Sequence, residues 1–436
     1  MTTARKRILL RGAYNLYNFG DDIILISWLE FLAGVPKYND NDVELYITKG
    51  HESIAGLKFD SGFQLKPFEL LDISESFNAR FESFHLPWKI PSVRNLIKGV
   101  KRGNILYVYI LLSLGMASAL DVIIYKLSGK SIFIKSHLDF FKNLDVIHYI
   151  GGGYFAGWWP EMLLYEFFTV LLARTINPGI RIIGTGLGLG PFKHGIYKSI
   201  FSVLAGNFSY ISVREECSMK VLEDLKTKAD REMLGDDAIL LLPRLKELKN
   251  RHNPDTGKYI ALNLKDFRGY DYSPLKKNMQ DYIGLMTSRG VKVEYFCFGK
   301  IPGPDDLKLT KIFDEEYRKG LTIHDPFEEG WIEFLENLSG AEAGIGFAYH
   351  FNVISALLKI PVVGIYCGDY YRQKIKSGIE WLTGRFPALS MDEAASRDLA
   401  EIIDTAKAAI AEDSRLESIY EKMSAEYTKL YKRYVS

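Results

Sequence analysis

Short apolar runs alternate with amphipathic stretches along most of the chain, and turn residues separate them. Residues 6–11 form a β-rich run, residues 21–32 read as a helix with an apolar face, and residues 43–48 supply a second strand. A less regular stretch over about 50–140 reads as an insertion. After it, strands are expected at 145–150, 181–185 and 210–213, with helices at 160–175, near 194–204, and from Arg214 to about Leu225. The alternation restarts with strands at 259–264, 291–298 and 321–324 and helices at 273–288, 305–318 and 331–338. Strands that are apolar along their whole length, separated by helices, predict parallel sheets covered on both faces. Between the two series, residues 243–257 are rich in Lys, Arg, Asn and Pro and read as a linker. From Met391 onwards the pattern is helical and polar. The pattern therefore predicts two Rossmann-like α/β domains facing a cleft, at 1–245 and 246–390, with a C-terminal helical segment at 391–436 that packs back on the body.

Composition narrows the function classes. A net charge of +1 provides no global attraction for nucleic acid, so no nucleic-acid partner is expected. Cys217, Cys297 and Cys367 form no CxxC pair, which argues against a disulfide framework and suits a reducing cytosol. The eight histidines are scattered without metal-ligand spacing, and no metal is expected. The N-terminus has no apolar stretch of signal-peptide length before Arg11. The longest apolar run, 105–120, ends at Asp121 and follows Lys98, Lys101 and Arg102. It falls short of the ~20 residues needed to cross a bilayer, and reads as a buried or dimer-forming helix or as an in-plane membrane contact.

The stretch 344–366 gathers the candidate chemistry. It reads as strand, loop, helix and strand, with His350 where the first strand hands over to the helix. That position lies at the carboxyl edge of a parallel sheet, where open α/β folds bind ligands and where helix amides favour an anion. In the first series, Asn18-Phe19-Gly20-Asp21-Asp22 occupies the equivalent strand-to-helix turn. Asp21 reads either as a helix cap or as a carboxylate that orients or deprotonates a sugar hydroxyl. Gly151-Gly152-Gly153 permits close backbone approach to a ligand, or is simply a tight turn. In Gly184-Thr185-Gly186-Leu187-Gly188-Leu189-Gly190, Leu189 stands where the third glycine of a dinucleotide fingerprint belongs, and no Walker lysine follows. Arg214 sits at another strand-to-helix junction, where its fork suits a carboxylate or phosphate unless Glu215 pairs with it. Gly235-Asp236-Asp237 reads as a turn or helix cap.

In this order, these stations resemble the polysaccharide pyruvyl transferase family across roughly residues 6–380. The likeness is carried by Asn18-Phe19-Gly20-Asp21-Asp22, Gly151-Gly152-Gly153, Gly184-Thr185-Gly186-Leu187-Gly188 and Ser212-Val213-Arg214-Glu215 with Ser218 and Leu222. Gly235-Asp236-Asp237 and His350 with Ala356 and Pro361-Val362-Val363 complete it. The resemblance implies a glycosyltransferase-B-like fold, with the acceptor on the first domain and the donor on the second. It implies transfer of a pyruvyl group from phosphoenolpyruvate to two hydroxyls of a cell-surface glycan or its lipid-linked precursor, giving a cyclic ketal, with no cofactor. His350 and Asp21 would be catalytic, while Arg214, Asn18, Gly20, Gly152, Gly153, Gly186, Tyr349 and Lys374 would bind substrate. A cytoplasmic protein follows, with room for peripheral contact at the inner membrane face and for a homo-oligomer. One departure stands out: the family commonly carries Arg two residues before the histidine, and here that residue is Ala348. Lys374 and Arg372 are candidates for a replacing cation. A nucleotide-sugar glycosyltransferase and a non-catalytic glycan-binding relative are the competing readings.

Overall fold

The computed structural model describes residues 5–14, 16–35, 43–48, 63–68, 105–132, 134–157, 159–192, 194–251, 258–267, 270–300, 305–385, 387–407 and 413–435. Its first half runs β1 (Lys6–Arg11), α1 (Phe19–Gly34), β2 (Val43–Thr48), β3 (Lys66–Phe68), α2 (Ile105–Ser128), α3 (Lys135–Lys142) and β4 (Val146–Ile150). It continues through α4 (Pro160–Ile176), β5 (Arg181–Leu187), α5 (Gly195–Ala205), β6 (Tyr210–Val213), α6 (Glu216–Leu225) and β7 (Asp230–Met233). A 3₁₀ turn at Asp237–Leu241 and helix α7 (Leu242–Arg251) lead towards the second half. There the order is β8 (Tyr259–Asn263), α8 (Ser273–Ser288), β9 (Lys292–Phe296), β10 (Thr322–His324), α9 (Trp331–Ser339), β11 (Ala343–Gly346), α10 (Tyr349–Leu357), β12 (Val362–Tyr366) and β13 (Ala388–Ser390). Helices α11 (Leu399–Lys407) and α12 (Asp413–Tyr434) follow.

Both sheets are parallel, ordered β3-β2-β1-β4-β5-β6-β7 and β10-β9-β8-β11-β12-β13. Each reverses direction beside its first strand, between β1 and β4 and between β8 and β11. Loops leaving neighbouring strands there go to opposite faces and open a crevice at the carboxyl edge. The turn before α1, the Gly151–Gly153 loop and His350 all follow one of these four strands.

Burial explains why the elements form. All five residues of β4 are buried, as expected of a central strand covered on both faces. Helix α1 is apolar nearly all round because it is enclosed on nearly every side. Its Trp28 stacks on Tyr427 and Tyr431 of α12, and its Phe19 meets Phe298 and Phe334 of the second half. One apolar core thus runs from the first sheet through α1 into the second half. The backbone ties the halves too: Phe19 N–H donates to the Phe298 carbonyl and Lys300 N–H to the Tyr17 carbonyl, each at 2.9 Å.

Several expectations from the sequence change. Residues 66–68, read as part of an insertion, form the edge strand β3 beside β2. Asp121 ends the apolar run but not the helix, which continues to Ser128. It is buried within α2, and its carboxylate accepts from Ile132 N–H (2.6 Å), Ser131 Oγ–H (2.7 Å) and Ile134 N–H (3.2 Å), capping the turn that follows. The linker stretch is helical up to Arg251, because Leu242, Leu245 and Leu248 form a buried stripe and the charges belong to the solvated face. Residues 252–257 lie outside the described residues. The helix read over 305–318 breaks into Asp306–Leu309, a 3₁₀ turn and Glu315–Lys319, with Asp305 capping the first piece.

Candidate functional site

Arg214 leaves β6 at the sheet's carboxyl edge, one residue before Glu215, the N-cap of α6. Its guanidinium is buried beneath the Gly153 and Gly188 backbones; a Cβ on Gly153 would lie 3.3 Å from Nη2, and one on Gly188 would clash with the guanidinium. Nε donates to Glu215 Oε2 at 2.6 Å, and Nη1 stands 3.6 Å from Asp236 Oδ2 with no hydrogen-bond partner. Burial opposes the charge, but Glu215, Tyr349 and Asp236 more than restore it, so the pKa lies well above the usual arginine value.

His350 is set by the second half. Asn263, at the end of β8, accepts the Ala348 N–H at 2.8 Å and donates to the Phe296 carbonyl at 2.9 Å, and this fixes the turn from β11 into α10. From there the buried His350 imidazole presents Nε2 to Asp236 Oδ2 at 3.6 Å, across the boundary between the halves. Asp236 caps the 3₁₀ turn through Oδ1 on Ala238 N–H, 3.0 Å, and leaves Oδ2 between Arg214 and His350. Burial alone would raise its pKa, but the facing His350 and Arg214 hold it down to about 2. Gly20 completes the contact from α1: a Cβ there would occupy the space of the imidazole.

Lys374 reaches the same place by a different route. It lies in a π-helical turn, Gln373–Ser377, between two short helices after β12. Such turns re-aim side chains and recur at functional sites. Both cations lie against the Tyr349 ring, with Arg214 Cζ 4.7 Å and Lys374 Nζ 4.9 Å from its centroid. The Lys374 side chain is half-buried, yet protein surrounds its ammonium. Lost hydration and the Arg214 charge lower its pKa to about 7, against the opposing pull of Asp21. Arg214, Glu215, Tyr370, Lys374 and the Gly188–Pro191 turn line a cavity of about 190 Å³. Cys217 also borders it, but burial and Glu215 push that thiol up to about 11, so it is no thiolate nucleophile near neutrality.

The structure therefore brings together Arg214, His350, Tyr349, Lys374, Gly20 and Gly153. Asn18 caps the site from the α1 turn, with its amide donating to the Asp21 carboxylate. Asp21 faces the glycine loop, its Oδ1 3.8 Å from where a Cβ on Gly152 would stand, and Gly152 adopts a positive φ of 82°. Gly186 is placed differently from the substrate-binding position expected of it. Its Cα faces the Asp237 carboxylate and its N–H donates to Ser212 Oγ at 3.1 Å, so it packs inside the sheet end rather than on the cleft. Arg372 is exposed and pairs with Asp369 at 3.2 Å, away from the cavity lining. Among the described residues no group of three or more His, Cys, Asp or Glu side chains is arranged to hold a metal.

Three further residues contribute to the site with little or no signal in the sequence. Asp236 had a signal, since it is the acid that follows a strand at the ligand edge, but its pairing across the halves is a tertiary fact. Asn263 ends β8 beside the switch point, the one polar residue of that strand bar the tyrosine that starts it. Tyr370, whose hydroxyl would lie 3.0 Å from a Cβ on Gly153, gave no signal in a chain with 26 tyrosines.

The sequence profile described as polysaccharide pyruvyl transferase matches residues 18–370. No curated protein matches the sequence. Among solved structures, UDP-N-acetylglucosamine 2-epimerase from Rickettsia bellii is similar at a TM-score of 0.56 and 11% identity, covering 99% of this chain and 97% of its own. The S. aureus MnaA–UDP structure is similar at 0.52 and 12%, covering 97% of each chain. At these identities the likeness concerns the fold, a glycosyltransferase-B-like pair of Rossmann-like halves.

Proposed function

The chain belongs to the polysaccharide pyruvyl transferase family, and from that premise we propose that it transfers a pyruvyl group from phosphoenolpyruvate to two hydroxyls of a sugar, forming a cyclic ketal and releasing phosphate. The acceptor is a cell-surface glycan or its lipid-linked precursor. The observation that carries the reading is the alignment of Arg214, Asp236 Oδ2 and His350 Nε2, drawn from both halves, beside a cavity that Lys374 also borders.

In this reading Arg214 and Lys374 hold the donor carboxylate and phosphate, two anionic groups that need two cations. Lys374 supplies a cation near the turn where the family pattern has Arg and this chain has Ala348. His350 gives a proton to the methylene carbon of the enol, which becomes the methyl group. The first hydroxyl oxygen attacks the adjacent carbon and its proton goes to Asp21. Asp236, kept ionised, balances the charge on the imidazole and holds its ring. Phosphate then departs with the electron pair of its C–O bond and takes up the Asp21 proton. The second hydroxyl closes the ketal and returns a proton to His350. Backbone N–H groups of Gly152 and Gly153 offer further donors at the cleft.

Calorimetric titration with phosphoenolpyruvate, beside UDP, tests this. The wild type is expected to bind phosphoenolpyruvate, and Arg214→Ala to bind it at least about tenfold more weakly through loss of a charge-assisted bidentate partner. His350→Ala should keep most of that affinity and lose turnover. Binding of UDP but not phosphoenolpyruvate would transfer the site to a nucleotide-sugar enzyme, and binding of neither to a glycan-binding protein.

A further inference from the structure

Over its described side chains, from Met116 to Ser128, helix α2 packs on the body by one side. Val122 and Tyr125 are buried against Ile134 and Leu138, and Tyr125 Oη–H donates to Asp139 Oδ1 of α3 at 2.6 Å. Asp121 lies on the same side and is fully engaged with the Ser131–Ile134 turn. These contacts fix the rotation of the helix. They turn Met116, Leu120, Ile123 and Leu127 outwards at spacings of four, three and four residues, with exposures of 68%, 58%, 53% and 83%. Such a stripe is continuous along one face. Ile132, just past the helix, and Phe168 on α4 add exposed apolar surface.

Charge identifies what this face meets. Lys126 and Lys130 are exposed and flank the stripe. Lys135 pairs with Asp139 and Asp121 points inwards, so residues 116–130 expose two lysines and no acid, and upstream the sequence over 83–104 carries Lys89, Arg94, Lys98, Lys101 and Arg102 with no acid. The described part of this face is thus apolar with lysines at its border. Among the described residues no helix is long and apolar enough to cross a membrane. We infer that the outer face of α2 is a docking surface for an anionic lipid bilayer, the helix lying in the plane of the headgroups with its lysines at the phosphate level. This is independent of the chemistry at the cleft.

Co-sedimentation of the full chain with vesicles of phosphatidylcholine alone, or mixed with phosphatidylglycerol, tests it without any activity assay. The expected result is binding to the mixed vesicles that weakens with salt and drops at least about tenfold in Ile123→Glu or Leu127→Glu. Lys126→Glu with Lys130→Glu should abolish the preference for the anionic mixture. All four side chains are exposed, and circular dichroism of each variant verifies that the fold is kept. A wild type that stays in the supernatant at every composition overturns the inference, as does binding that Ile123→Glu leaves unchanged. A concentration-dependent dimer that Ile123→Glu breaks, without vesicle binding, assigns the face to a second copy of the chain and equally overturns it.

Discussion

At the scale of single residues, the cleft places two cations of unequal character against the ring of Tyr349. Arg214 is locked by Glu215 and stays charged at any pH the protein survives. Lys374 has no carboxylate partner within hydrogen-bond reach among the described residues, and its pKa has fallen to about 7. The sign of the pH effect follows. An anionic donor favours the charged ammonium; below about pH 7 the free protein already carries that charge, and above it binding must take up a proton. Donor affinity should therefore be greatest below pH 7 and weaken by up to about tenfold per pH unit above it. Calorimetry at pH 8 in buffers of different ionisation enthalpy reads the proton uptake directly, and Lys374→Arg should remove both the uptake and the slope. A flat affinity with no uptake in the wild type would show that Lys374 does not touch the donor. The sequence supplied Lys374 as a candidate beside Arg372; the π-turn separated them, because it aims one side chain at the cavity and leaves the other in solvent.

At the scale of elements, the C-terminal helix α12 supports the site from behind. Its Tyr427 hydroxyl donates to Asp237 Oδ1 at 2.8 Å and meets Ser212 Oγ at 2.9 Å, while Tyr431 Oη lies 2.7 Å from His148 Nδ1. The other oxygen of Asp237 accepts from Trp28 Nε1–H, Thr185 Oγ1–H and Gly151 N–H, at 2.7, 2.8 and 3.1 Å. One buried carboxylate thus joins α1, α12, β5 and the glycine loop. Burial pushes its pKa up to about 7 and lowers that of His148 to about 3, so the network tolerates little loss of hydrogen bonding. Tyr427→Phe strips Asp237 and Ser212 of a partner at almost unchanged shape and should cost about 1–3 kcal/mol of stability. Urea unfolding followed by circular dichroism measures it; an unchanged midpoint would mean that the network is dispensable. The sequence showed α12 as a polar helix rich in Tyr and Lys. That its tyrosines enter a core could not be read there, since burial depends on a sheet more than 200 residues away in the chain.

At the scale of the molecule, the site exists only while the two halves touch. Gly20 on α1 and His350 on α10 meet without room for one more carbon, and Asp236 from the first half faces His350 from the second. Gly20→Ala forces the imidazole or the halves to move. Turnover should fall by about tenfold or more, since misplacing a reacting group by about 1 Å is costly. Donor affinity, which rests on Arg214 and Lys374 rather than on the imidazole, should fall by less than turnover does. Steady-state kinetics beside donor titration separates the two quantities, and equal losses in both would place Gly20 in the donor site instead.

The sequence by itself determined the central strands and helices and their order, but not the edge strands β3, β7 and β13. Apolar runs the length of a strand, separated by helices, admit few arrangements other than parallel sheets, and a turn that follows a strand must emerge at the carboxyl edge. Hence His350, Arg214 and the Asn18–Asp22 turn could be placed on the ligand side before any coordinates. Only the tertiary structure decided which of them meet. The strand reversals between β1 and β4 and between β8 and β11 bring distant loops to one crevice, and packing of α1 between the halves aligns the two crevices. The same packing turned Gly186 inwards and made a helix of the charged stretch before residue 252. Periodicity reports which side of an element is buried. It carries no information on which neighbour does the burying, and the chemistry of this cleft depends on that neighbour.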